Sequence, residues 1–219
     1  MQKVLDIIKD TGLVAIIRGI NIDSIKHTVQ SLAAGGVRVL EVTFNTPGAE
    51  EMIRYLSKLP ETEIMVGAGT VLDVETAKIA IQAGARFMLC PHLDPQIIEL
   101  GYSAGIPVIP GVFSPSEFVE AWKAGAEMVK VFPAATLGAE TIASALAPLA
   151  PVEIMAVGGV TLNNAGQFIE AGSAALGVGS ELVDKKALTA GDYEAITLKA
   201  KKFFTQIQEA RAKRGGINA

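Results

Sequence analysis

The chain has 219 residues, half of them hydrophobic and 19% charged, with a net charge of −4. That balance suits one globular domain over residues 1–219 with a sizeable core, and it excludes intrinsic disorder and a basic nucleic-acid-binding surface. One cysteine excludes a disulfide framework or thiolate metal cluster, two histidines leave little for a histidine-based metal site, and 5% aromatics is too few for a base-stacking platform.

Residues 2–10 alternate apolar and charged side chains at helical spacing, and they lack the apolar block and cleavage site of a signal peptide. Later apolar runs are broken by Gly, Pro or charge far short of a membrane span. The expectation is a soluble, cytoplasmic protein with no membrane partner.

Apolar segments follow at 14–17, 39–43, 65–69, 87–90, 108–110, 128–132, 154–157 and 175–178. They are nearly continuous rather than alternating, the pattern of parallel strands covered on both faces. Helical patterns separate them, with caps expected at Asp23-Ser24, Asp73, Asp94, Ser114 (with Pro115 and Glu117) and Thr161. Helical segments end at Ala34-Gly35, Ala83-Gly84, Ala104-Gly105, Ala124-Gly125 and Ala171-Gly172, where glycine can take the left-handed turn that stops a helix. An amphipathic stretch over 192–213 follows the last strand, and 214–219 are expected to fray. Eight β–α units behind an extra N-terminal helix read as a single-domain (β/α)8 TIM barrel. An open doubly wound sheet is the alternative, opposed by the missing Gly-x-Gly-x-x-Gly after the first strand.

In such a barrel, function sits at the C-terminal ends of the strands. Lys130 lies inside the apolar strand Met128-Val129-Lys130-Val131-Phe132-Pro133. It must pair, reach solvent or shed its proton, because burial disfavours the charged form. A neutral amine attacks carbonyls and forms Schiff bases. Glu41 interrupts Val39-Leu40-Glu41-Val42-Thr43-Phe44 and points either to the barrel interior or to the helices. A buried carboxyl with a raised pKa can shuttle protons, whereas a structural ion pair is the plainer role. Arg18 follows the first strand with a fork of donors suited to a carboxylate or phosphate, and Thr70 ends a glycine-rich strand with a hydroxyl. Val157-Gly158-Gly159-Val160 and Gly177-Val178-Gly179-Ser180 end strands seven and eight, the usual phosphate position of this fold. Tight helix–strand packing is the competing reason for those glycines.

The remaining candidates are plainer. His92 sits in the loop Cys90-Pro91-His92-Leu93-Asp94 beside the barrel mouth, and His27 on the first barrel helix is expected at the surface. Asp94 reads as a cap, Cys90 as a small buried residue, and Trp122 and Phe118 as a helix packing face. No His/Asp/Glu cluster has metal-ligand spacing, so no metal is expected.

These pieces resemble the 2-keto-3-deoxy-6-phosphogluconate (KDPG) / 4-hydroxy-2-oxoglutarate (KHG) aldolase family. The matching motifs are Arg18-Gly19, Gly35-Gly36-Val37, Leu40-Glu41-Val42-Thr43, Val66-Gly67-Ala68-Gly69-Thr70-Val71, Pro110-Gly111-Val112, Val129-Lys130-Val131-Phe132-Pro133-Ala134 and the two glycine turns, in family order over residues 18–180. The resemblance implies a homotrimeric class I aldolase without cofactor or metal, acting on a phosphorylated keto acid in an Entner–Doudoroff type of carbohydrate metabolism. It would release pyruvate and glyceraldehyde 3-phosphate, and 4-hydroxy-2-oxoglutarate is a further substrate. Carried over by position, Lys130 forms the imine and Glu41 shuttles protons. Arg18, Thr70, Pro91 and Phe132 bind substrate, and Gly158, Gly159, Gly179 and Ser180 hold the phosphate.

Two departures from the KDPG pattern stand out. Asn45 replaces an arginine four residues after the glutamate, and Ala156-Val157 replaces Pro-Thr before the glycine pair. Both look like relatives acting on the C4 epimer, 2-keto-3-deoxy-6-phosphogalactonate, which makes Asn45 and Val157 the specificity candidates. A phosphate-binding isomerase or epimerase, a non-catalytic scaffold subunit and a metal-dependent aldolase are the competing readings.

Overall fold

Helix α1 (Gln2–Thr11) buries Val4, Leu5 and Ile8 on one face, and Gly12 ends it at φ 70° with its N–H donating to the Ile8 carbonyl. The computed structural model describes residues 1–60, 64–149 and 152–217. The strands are β1 (Leu13–Ile17), β2 (Val39–Thr43), β3 (Met65–Gly69), β4 (Met88–Leu89), β5 (Val108–Ile109), β6 (Gly111–Val112), β7 (Met128–Val131), β8 (Glu153–Val157) and β9 (Ala175–Val178). All pairings are parallel, in the order β5-β4-β3-β2-β1-β9-β8-β7-β6.

The two ends of that order are one stretch of chain, so the sheet closes. Pro110 has no N–H to give a ladder and splits the stave into β5 and β6. Its carbonyl accepts from Lys130 N at 2.8 Å. β5 pairs with β4 and β6 with β7, which makes eight staves from nine short strands. The expected strand at 108–110 is therefore two pieces flanking the proline, and the expected 87–90 is shorter, at Met88–Leu89.

The helices that follow are α2 (Ile22–Ala34), α3 (Ala49–Leu56), α4 (Val74–Ala83), α5 (Pro95–Ser103), α6 (Pro115–Lys123), α7 (Ala134–Leu137), α8 (Ala139–Leu149), α9 (Ala165–Glu170), α10 (Lys185–Ala190) and α11 (Tyr193–Ile217). Asp73 and Asp94 cap α4 and α5, and Ser114 with Glu117 forms the reciprocal capping box of α6. Two caps differ from expectation. Asn21, not Asp23-Ser24, caps α2 by accepting from Ser24 N, because it holds the extended backbone that an N-cap needs. Asn164, not Thr161, precedes α9, and its side chain accepts from Thr161 N at 2.7 Å. Helix α11 also runs on to Ile217 through most of the segment expected to fray; 218–219 lie outside the described residues.

Two cores share the strands. Leu13, Ala15, Ile17, Leu40 and Val42 face outward to the helices. Val14, Ile16, Val39, Met65, Phe87, Leu89, Ile109, Met128, Met155 and Val157 fill the barrel, and Val4, Leu5 and Ile8 of α1 join them. Helix α1 thus plugs the N-terminal end of the barrel.

Arg211 ties this plug to the wall. From α11 it donates to the carbonyls of Lys9, Asp10 (2.8 Å) and Ala174 (3.1 Å). Gly12 is bare beneath it: a Cβ there would stand 2.6 Å from the guanidinium. Arg211→Met leaves those carbonyls unpaired and is expected to cost about 1–3 kcal/mol. A lower urea midpoint with an unchanged slope is the readout; an unchanged midpoint would contradict the role.

Candidate active site

Side chains of a strand alternate between its faces, so the inward residues of each stave share one parity. On β2, inward Val39 is followed by Glu41; on β7, inward Met128 is followed by Lys130 and then Phe132. Glu41 and Lys130 therefore both enter the barrel, one layer above its apolar floor. Glu41 is fully buried and Lys130 only 3% exposed. The inward direction of Glu41 resolves the choice that the sequence leaves open.

Both Glu41 carboxyl oxygens lack a hydrogen-bond partner among the described residues. Burial pushes the Glu41 pKa up, opposed first by Lys130 and then by Arg18. Burial pulls the Lys130 pKa down, opposed by Glu41, while Arg18 lowers it further. The result is an amine and a carboxyl that each hold their neutral form over a wider pH range than in water. Lys130 Nζ sits 4.8 Å from the centre of the Phe132 ring. Cys90 is buried, and that pushes its thiol up to about 12, so it stays an unreactive packing group.

Gly69 makes room for the acid. A Cβ there would stand 1.6 Å from Glu41 Oε1, so any larger residue must displace the carboxyl. Gly69→Ala is expected to lower turnover about a hundredfold, the scale of an ångström misplacement. The check is kcat in a variant whose unfolding midpoint shows a folded protein; full activity would mean that the carboxyl position is immaterial.

Beside this pair opens a cleft of about 400 Å3 at the C-terminal ends of β1, β8 and β9. Arg18, Phe132 and Val157 line it, together with the glycine turns Gly158-Gly159 and Gly179-Ser180. Gly158 and Gly159 adopt φ 93° and 73°, left-handed values that disfavour a side chain, and a Cβ at 159 would meet Ala135 Cβ at 2.5 Å. Their carbonyls accept from Ala135 N (3.0 Å) and Asn164 Nδ2 (2.9 Å), which fixes the loop. The Gly179 carbonyl likewise accepts from Leu182 N and Val183 N.

Five expected site residues lie outside this cleft's lining: Glu41 and Lys130 inside the barrel, and Thr70, Pro91 and Asn45 at the C-terminal ends of the strands. Thr70 is half-buried after β3 at φ 54°, an uncommon left-handed value for a threonine, Pro91 is half-buried after β4, and Asn45 is exposed after β2. His92 and His27 are exposed, and His27 packs on the Tyr193 ring at 5.4 Å. Phe118 is buried in the helix layer as expected, but Trp122 is 52% exposed and lines a separate cavity at the N-terminal end with Gln2 and Lys9. Its side chain borders that cavity, opposite α1 residues, and not the helix layer's core. No group of three or more metal-ligating side chains occurs among the described residues.

Two features were not singled out in the sequence. Thr43, the next inward residue after Glu41, donates to the Ile17 carbonyl (3.2 Å) and meets Thr46, whose hydroxyl accepts from Gly19 N at 2.9 Å. These threonines pin the turn that carries Arg18, and parity on β2 is the signal that would have found Thr43. Lys185 also lines the cleft, from the first turn of α10.

Fold and site define a (β/α)8-barrel enzyme with an amine and a carboxyl inside the barrel and a glycine-walled cleft beside them. The KDPG and KHG aldolase family model matches residues 4–199. A 2-dehydro-3-deoxy-phosphogluconate aldolase of Treponema pallidum is 37% identical, over 77% of this chain and 80% of that protein. A probable 2-dehydro-3-deoxy-6-phosphogalactonate aldolase of Rhizobium meliloti is 35% identical, over 82% and 85%. Among solved structures, a KDPG aldolase from Legionella pneumophila, with pyruvate captured at low pH as a covalent carbinolamine intermediate, superposes with a TM-score of 0.80 at 29% identity, over 89% of this chain and 95% of that one. The chain belongs to the KDPG and KHG aldolase family.

Proposed function

We propose that the protein is a class I aldolase that cleaves a 2-keto-3-deoxy-6-phospho sugar acid to pyruvate and glyceraldehyde 3-phosphate through a Schiff base on Lys130. The observation that carries this is the placement of Lys130 and Glu41 together inside the barrel, each the largest charge opposing the other's burial. The carbinolamine of the Legionella relative supports an amine as the group that meets pyruvate.

Neutral Lys130 Nζ bonds to C2 of the keto acid, and the carbinolamine loses water to a protonated imine. Glu41 relays the protons of these steps. Loss of the C4 hydroxyl proton breaks C3–C4, and the electron pair passes into the imine, giving an enamine and glyceraldehyde 3-phosphate. A proton then adds to C3, water adds to the imine carbon, and pyruvate leaves with the amine restored. Arg18, Thr70, Pro91 and Phe132 serve substrate binding, and Gly158, Gly159, Gly179 and Ser180 hold the phosphate with backbone N–H groups and one hydroxyl.

A second reading, preference for the phosphogalactonate epimer, is favoured by Val157. This apolar side chain in the cleft wall cannot hydrogen-bond a substrate hydroxyl, and Asn45 stands as a neutral residue on the loop after β2. Assembly as a homotrimer in the cytoplasm without cofactor completes the proposal; among the described residues no helix is long and apolar enough to cross a membrane. Borohydride added with pyruvate should leave a stable adduct on Lys130, read by peptide mass. No mass gain there overturns the mechanism, and cleavage rates on both C4 epimers rank the two substrates.

A further inference from the structure

We infer that Lys185 is a second cation of the phosphate subsite and the residue that favours phosphorylated over unphosphorylated substrates, an inference that rests on the cleavage reading above. Lys185 opens α10, after β9, and Arg18 lies after β1. Both line the one cleft that also holds the two glycine turns. Its ammonium lies across the β1 turn, 3.6 Å from the point where a Cβ would project at Gly19.

The carboxylates beside Lys185 in the chain are already engaged. Asp184 accepts from Lys186 N at 2.7 Å, and Glu181 faces Lys199 at 3.8 Å. Among the described residues, no group pairs with the Lys185 ammonium. An unpartnered cation lining the same cleft as the glycine turns supplies the charge that neutral backbone donors lack. A phosphate monoester carries a charge of about −1.5 to −2 near neutral pH, and one arginine leaves part of it uncompensated. A keto acid without phosphate would place no anion there, so Lys185 would contribute to one substrate class only. Because Lys185 is exposed, its replacement should leave the fold intact.

The test compares wild type with K185A and K185R. On the phosphorylated substrate, K185A should raise KM about tenfold with little change in kcat, the scale of one hydrogen bond to a charged group. K185R should restore most of the loss. On the same sugar acid without phosphate, K185A should match wild type. Glycerol 3-phosphate, titrated into each protein by calorimetry, reads the site without chemistry and should bind K185A about tenfold more weakly. Equal binding by K185A, no measurable binding by wild type, or an equal loss on both sugar acids overturns the inference. Lys185-dependent binding of glycerol 3-phosphate in a protein that forms no pyruvate adduct on Lys130 would instead retire the aldolase reading and uphold the phosphate role.

Discussion

Lys130→Arg is expected to abolish pyruvate release, with a loss of at least about 10⁴-fold, the scale seen when a covalent nucleophile is removed. A guanidinium stays charged and cannot form the imine. The position is almost fully buried, so the variant must also be shown to fold. Lys130→Met serves as the companion. It removes the charge that offsets the burial of Glu41, so it should be inactive, and folded but less stable than wild type. Activity in either variant, measured by coupled detection of pyruvate, would mean that bond cleavage proceeds without the lysine.

The second large effect is expected at Glu41. Glu41→Gln keeps the shape and removes the ionisable oxygen, and should lower the rate of pyruvate trapping by about 10² to 10⁴-fold. The pH profile gives a readout that a packing defect would not reproduce. Trapping needs the neutral amine, so in wild type the rate should rise with pH and level off below the ordinary lysine value of 10.5. The Glu41 charge favours the ammonium and raises the Lys130 pKa. Without that charge the ammonium is less favoured, so in Glu41→Gln the rise should move to lower pH while its plateau falls. An unshifted rise would show that the Glu41 charge does not act on Lys130, and a rise shifted to higher pH would overturn the sign of their interaction.

The two largest predictions fall on residues that stand out in the sequence for a thermodynamic reason. A charge inside an otherwise apolar strand costs free energy, so Lys130 and Glu41 stand out against their neighbours before any coordinates exist. The glycine turns are legible in the same way, since Gly158 and Gly159 hold backbone angles that disfavour a side chain. Lys185 is not legible. It is one of two adjacent lysines on an exposed segment, and such a pair reads as a solvated face until another strand's turn is brought against it. Trp122 misleads for the converse reason: an aromatic in a helix suggests burial, yet α6 turns it outward beside α1.

By itself, the sequence determined the eightfold β–α rhythm, most caps, and which two charges stand inside apolar strands, because these depend on local periodicity, backbone preference and the cost of an isolated charge. Only the tertiary structure decided which way Glu41 points, how Pro110 splits the closing stave, and which loops converge on the cleft. A strand buried on both faces carries almost no contrast between its two sides, and closure and convergence depend on contacts between segments far apart in the chain.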